Sequence, residues 1–250
     1  LTNKTLTSPA IGTKISDTNG NELINLTATG SAVNEFTLAN AATGNGPILS
    51  ATGETNVDIN LNPKGTGTLK SGTAAVKIAG KETIWVPAVA MYPTTTNGCA
   101  DLAQTELTAG QPELKSLDFD ASSDEFAQFA VAFPKSWNEG TVTFQAFFTA
   151  NTTNTGTTSW KVAGVAIADD GAIDTGFGSA VGPTAKAMSG TANDLAVTAE
   201  SGAITIAGSP AAGEEVFFNI FRDVSADDLS ADAKLLGIKL FFTTDAANDA

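Results

Sequence analysis

An all-β protein in two unlike parts is what this 250-residue sequence predicts. Three observations carry that expectation. Apolar residues alternate with polar ones over long stretches of the second part, the period of a strand with one buried face. Gly, Asn and Pro punctuate the chain at short intervals, as turns require. The aromatics are divided unevenly: Phe36 is the one aromatic of residues 1–83, and the other seventeen lie in 84–250.

The first part, residues 1–83, is Thr, Asn, Gly and Ala with short apolar beats at Leu23–Leu26, Phe36–Leu38, Ile48–Leu49, Val57–Leu61, Leu69 and Val76–Ile78. The beats recur about every eight to twelve residues, separated by turns such as Asn19-Gly20-Asn21, Gly44-Asn45-Gly46-Pro47 and Pro63-Lys64-Gly65. This pattern predicts a string of short strands, an extended intertwined β-shaft or a β-solenoid. Such sparse beats do not make a core alone. Three copies about a common axis would point Leu26, Phe36, Leu38, Ile59 and Leu61 inward and leave Thr and Asn to water.

The second part opens at Ile84-Trp85-Val86-Pro87 and centres on Leu114–Ala150, which holds seven of the fourteen Phe. Ala127, Phe129, Val131 and Phe133 fall on one side of a strand; Val142, Phe144, Ala146 and Phe148 do so in another. Pro134–Gly140 between them reads as a turn, so the two strands are expected as a hairpin. Further strands are expected at Trp160–Ala168, Leu195–Thr198, Ala203–Ala207, Val216–Arg222 and Leu235–Phe242. Eight or nine strands suit a jelly-roll-like antiparallel β-sandwich. Ser225-Ala226-Asp227-Asp228 before Leu229–Ala233 predicts one short helix, with acids at its N-terminal end.

Charge separates the parts as sharply. Residues 1–83 carry six Lys and six Asp or Glu; residues 84–250 carry seven Lys or Arg and twenty-one Asp or Glu, so the net −14 belongs to the second part. An acidic surface of this kind repels nucleic-acid phosphates and anionic membranes and keeps the protein soluble. No window approaches the ~18-residue apolar run of a membrane span. No basic-then-apolar leader is visible, and opening on Leu1 leaves room for residues upstream. One Cys, Cys99, makes no internal disulfide, and the absence of His removes triad and His-metal chemistry from this sequence. Cys99 itself reads as a small buried hydrophobe.

Three sets of side chains remain as candidate sites. Asp118, Asp120 and Asp124 form the densest carboxylate cluster; as calcium ligands they lack the spacing and central Gly of an EF-hand loop, and solvent-facing residues beside a strand are the better reading. No metal or other cofactor is expected. Glycoside hydrolysis needs only two carboxylates, but no pair stands out among twenty-one. Trp85, Trp137, Trp160 and Tyr92 could stack on sugars if exposed, though aromatics more often fill cores or subunit interfaces.

Asn3–Pro9, Ala41–Pro47 and Leu61–Gly67 resemble the repetitive shaft sequences of tailed-bacteriophage fibre proteins. Trp85–Ala88, Asn97–Ala100, Leu117–Ala121, Phe133–Trp137 and Phe241–Ala246 are similar to a C-terminal domain of phage virion fibres and spikes. The resemblance implies a homotrimeric, virion-borne structural protein on head or tail, attached to other virion proteins through its N-terminal part. It supplies no catalytic residues and allows host-surface glycan as a partner. A tailspike-like glycan depolymerase and an extracellular filament or adhesin subunit are the alternatives.

Overall fold

A computed structural model of the chain describes residues 11–71, 74–75, 79–246 and 249. The described structure is all-β, and its sheets are antiparallel. It divides into a first unit, Leu1–Val76, and a second, Lys77–Ala250. The division lies seven residues before the expected 83/84 boundary. Lys81–Thr83 open a strand that pairs with Phe241–Thr243, so these residues belong to the second unit.

Among its described residues the first unit forms three separate hairpins. Strand β1 (Lys14–Ser16) pairs with β2 (Glu22–Asn25), β3 (Glu35–Ala39) with β4 (Ile48–Thr52), and β5 (Lys70–Ser71) with β6 (Ala74–Ala75). The β1–β2 turn is fixed by Asp17, whose Oδ1 accepts the backbone N–H of Asn19 (2.9 Å) and Asn21 (2.8 Å), with Gly20 at φ 83°. The expected solenoid is not formed among the described residues: the Phe36–Leu38 and Ile48–Leu49 beats pair with each other, and the Leu23–Leu26 beat pairs with Lys14–Ser16, as antiparallel hairpins and not as stacked parallel rungs. The Val57–Leu61 beat forms no strand, and the Val76–Ile78 beat lies outside the described residues. No described side chain of this unit is buried.

The second unit is built differently. One sheet contains β7 (Lys81–Pro87), β9 (Ala103–Thr105), β10 (Leu114–Phe119), β12 (Thr143–Thr149), β16 (Ala196–Val197) and β18 (Ala233–Thr243). Strand β18 is its axis, with β12 along one edge and β10 and β7 end to end along the other. The other sheet runs β14 (Trp160–Ile167), β17 (Glu215–Arg222), β11 (Phe126–Ala132) and β8 (Tyr92–Pro93). A small pair, β13 (Thr157–Thr158) with β15 (Lys186–Ala187), completes the unit.

The two large sheets share one core. Trp160 of the four-stranded sheet meets Phe119 and Phe148 of the six-stranded one edge to face, at 5.0 and 5.6 Å between centroids. Phe133 stacks on Trp137 at 4.3 Å and meets Phe242 at 5.4 Å. Each ring buries about 150–250 Å² and each pair adds about 0.5–1.5 kcal/mol beyond area, which is why the aromatic-rich unit closes a core and the first does not.

The expected alternation is present: Ala127, Phe129 and Phe133, and Val142, Phe144, Ala146 and Phe148, all face the core. The expected hairpin is not. Strand β11 pairs with β17 and β8, and β12 with β18 and β16. The segment 133–142 therefore crosses from one sheet to the other; period 2 specifies a buried face, not a hydrogen-bonding partner.

The expected helix near 225–233 is also replaced. A 3₁₀ turn at Val224–Ala226 is followed by extended chain into β18. The cause is Arg222, which is fully buried. Its Nε and Nη2 donate to Asp227 at 2.6 and 3.0 Å, and Nη2 also donates to the Leu229 carbonyl at 2.5 Å. Nη1 donates to the carbonyls of Ala231 (2.8 Å), Phe119 (3.2 Å) and Asp120 (3.2 Å). A helix over 225–233 would consume the carbonyl of residue 229 in its own ladder. Among the described residues no helix is long and apolar enough to cross a membrane.

Arg222→Met should therefore destabilise the second unit by roughly 3–5 kcal/mol, because it strands the buried Asp227 carboxylate and several carbonyls. Urea unfolding measures this, and adding Asp227→Leu should restore part of the loss and not all of it.

Candidate functional site

The second unit has one outer sheet face where aromatic and cationic side chains interleave. Ile84 and Val86 turn inward, so Trp85 turns out and is 47% exposed. Its indole lies over Gly237, where a Cβ would stand 2.7 Å from Trp85 Cζ2. Gly237 has φ 155° and sits at the bulge between β18 and β12. Glycine at this point lets the indole lie flat on the sheet and meet Phe147 edge-on, at 5.1 Å and 85°. Lys239 Nζ stands over the Phe147 ring at 5.5 Å, and Lys81 Nζ over Phe241 at 4.7 Å. Glu200 binds both Lys81 and the Thr143 hydroxyl. These contacts, the Lys81 ammonium first, hold the Glu200 carboxyl below its ordinary value.

The four aromatics named from the sequence thus part company. Trp85 and Tyr92 are each about half exposed, whereas Trp137 is 2% exposed and Trp160 fully buried. Trp137 and Trp160 are core residues and have no ring face to offer a sugar. Tyr92 lies on the other sheet, beside Gln128. Sequence reasoning missed Phe147, Lys239 and Phe241 as neighbours of Trp85. Their signal was parity: Phe147 and Phe241 fall opposite in phase to the buried Phe148 and Phe242.

The acidic cluster is not brought together. Asp118 pairs with Lys234 and accepts the Ser116 hydroxyl at 2.7 Å. Asp120 accepts the Ser122 N–H and hydroxyl at 2.6 and 2.5 Å, which lower its pKa. Asp124 accepts the Val224 N–H at 2.9 Å. Each carboxylate is committed to a different partner, and among the described residues no group of three His, Cys, Asp or Glu side chains is placed to hold a metal ion.

Among the described residues of the second unit, carboxylates line three concavities. One of about 440 Å³ has Asp169, Asp170 and Glu215. One of about 680 Å³ beside Lys81 and Ser136 has a single carboxylate, Glu82. Another, of about 650 Å³, has Asp124 and Glu125, and both accept backbone N–H groups. The shifted carboxyls of this unit, Asp120, Glu200, Asp223 and Asp228, all move downward. A general acid needs the opposite.

No family model matches this sequence. No curated protein matches it either. Among solved structures, one similar chain is the CBM22-1–GH10 portion of Clostridium thermocellum endo-1,4-β-D-xylanase 10B complexed with xylohexaose: 12% identity over 70% of this chain and 30% of that one, TM-score 0.37. A Paenibacillus sp. cycloisomaltooligosaccharide glucanotransferase complexed with cycloisomaltoheptaose has 12% identity over 62% of this chain and 18% of that one, TM-score 0.29. The infectious bursal disease virus Gx strain structure has 13% identity over 84% of this chain and 46% of that one, TM-score 0.26. This chain spans less than half of each, and likeness at this level passes no activity or partner to it.

Two measurements follow. Cys99 is buried, and burial first, then the Glu125 charge, push its thiol up to about 12. The native protein should label slowly with a bulky thiol reagent and quickly once unfolded. Asp223 is held below its ordinary 3.8 by Lys161 and Ser225. Its folded value is depressed, so its contribution is complete above about pH 4 and is lost as pH falls through the folded value. The melting temperature should fall as pH drops below about 4, and Asp223→Asn should flatten that fall.

Proposed function

We propose that this chain is a non-enzymatic structural protein of a bacteriophage virion, a homotrimeric fibre or spike projecting from head or tail. In this reading the first unit winds with its copies into a β-shaft bound to other virion proteins. The second is a jelly-roll-like β-sandwich head, whose Trp85 face meets host-surface glycan.

The observation that carries the proposal is the bare first unit. Leu26, Phe36, Leu38, Ile59 and Leu61 are 38, 58, 78, 40 and 55% exposed in the single chain. The β3–β4 hairpin places Phe36, Leu38 and Leu49 on one side; on the other, the hydroxyls of Thr37 and Thr52 lie 3.1 Å apart. The first face is uncovered within the described chain; the other is hydrogen-bonded at Thr37 and Thr52 and carries exposed Ile48 at its end. A hairpin of this kind gains stability only when its apolar face is covered, and copies of the same hairpin about an axis cover it symmetrically. The shaft-like and head-like motifs of the sequence favour a phage fibre over other extracellular filaments, although the Asn3–Pro9 motif lies outside the described residues.

Light scattering of the purified chain should give three chains per particle, and antibody-labelled electron micrographs of phage should place them on projections of head or tail. Incubation with host polysaccharide should release no new reducing ends. A stable, folded monomer would overturn the fibre reading, and new reducing ends would favour the depolymerase.

A further inference from the structure

Trp85 and Lys239 are direct partners in the β7–β18 ladder, and Gln145 of β12 stands opposite Lys239 on the other side. All three turn away from the core, whose inward residues here are Val86, Ile238, Leu240, Phe144 and Ala146. They form one row across three strands of the six-stranded sheet. At about 4.8 Å between strands the row is roughly 10 Å across, the reach of two linked sugar rings.

Each member of the row is prepared for a contact it does not make within the chain. The indole lies on Gly237 and is braced edge-on by Phe147, which fixes its plane and leaves it half exposed. A flat ring held in advance loses little freedom when something stacks on it. Lys239 is exposed, its Nζ rests over the Phe147 ring, and among the described residues it forms no salt bridge. Its neighbours on this face, Lys81 and Lys234, are paired with Glu200 and Asp118. Gln145 Nε2 donates to the Thr198 carbonyl at 3.0 Å, while its Oε1 accepts from no described residue.

These groups specify a chemistry. The negative face of an indole attracts the electron-poor C–H groups along one side of a pyranose ring. An amide oxygen accepts from a sugar hydroxyl. An ammonium makes its strongest hydrogen bond to an anionic oxygen, which a neutral sugar does not have. The surroundings then limit how much charge the ligand carries. Residues 84–250 hold twenty-one acids against seven cations, so a densely anionic polymer is repelled on every side of the row. A chain of mostly neutral rings with a carboxylate at intervals meets the one uncommitted ammonium without that repulsion.

We infer that the Trp85–Lys239–Gln145 row binds a polysaccharide with intermittent sugar carboxylates. A neutral ring stacks on Trp85 and the carboxylate of an adjoining sugar meets Lys239 Nζ. The inference rests on the glycan-facing reading above and names the class of glycan.

The test measures binding of the full chain to hyaluronan, whose carboxylates alternate with neutral sugars, and to host polysaccharide. Each is used as isolated and with its carboxyls reduced to alcohols, and heparin serves as the densely charged comparison. The native form of at least one should bind roughly tenfold or more tightly than its reduced form, and heparin should bind weakly. Lys239→Gln should make native and reduced forms bind alike, Lys239→Arg should keep the preference, and Trp85→Ala should weaken both forms. Should Trp85→Ala unfold the protein, the native-against-reduced comparison in the wild type and in Lys239→Gln decides alone. Equal binding of native and reduced forms by the wild type overturns the carboxylate preference and leaves the glycan face standing. Undiminished preference in Lys239→Gln, or tighter binding of heparin, overturns the assignment to this row. No binding of any form by the folded protein overturns the glycan-facing reading as well.

Discussion

The second unit depends on a buried cation. Arg222 lies in the core phase of β17, opposite Trp160, and its guanidinium meets Asp227 and four backbone carbonyls. Those carbonyls come from the end of β10 in the other sheet and from the segment leading into β18. One side chain thus ties both sheets and the last crossover. A buried ion pair of this kind is weak evidence for net stability, since desolvation offsets much of the attraction. What it supplies is placement. With Leu229 and Ala231 held, β18 starts at Ala233 against Phe119, and the Lys234–Asp118 pair falls into register.

That placement matters because β18 organises everything around it. Its inner residues Leu235, Ile238, Leu240 and Phe242 enter the core, while Gly237, Lys239 and Phe241 form the floor of the aromatic–cationic face. A one-residue slip of β18 would exchange those two sets. It would bury Lys239 and carry Gly237 out from under Trp85. The core and the outer face are consequently two readings of one register.

The two units differ in how far they complete themselves. The second buries its aromatics between sheets and keeps its acids at the surface. The first has hairpins whose turns are well specified, as at Asp17–Asn21, but whose apolar faces have no partner within the described chain. Local hydrogen bonding is satisfied there; burial is not.

Much of this was legible in the residues themselves. The all-β class, the two-part organisation, the buried phase of Phe129–Phe133 and Phe144–Phe148, and the sparse burial of the first part all follow from composition and period, because burial of one face imposes period 2 whatever the strand pairs with. Pairing was another matter. Phe126–Ala132 and Thr143–Thr149 looked like a hairpin, yet belong to different sheets, since alternation carries no information about the neighbouring strand. Asp227 and Asp228 looked like a helix start because a carboxylate that caps a helix is chemically the same as one that grips a buried arginine. In Glu215–Arg222 apolar residues occupy both phases, so no pattern could tell Phe217 from Phe218. Which ring met the core and which met the surface was settled only when β17 found its place between β11 and β14.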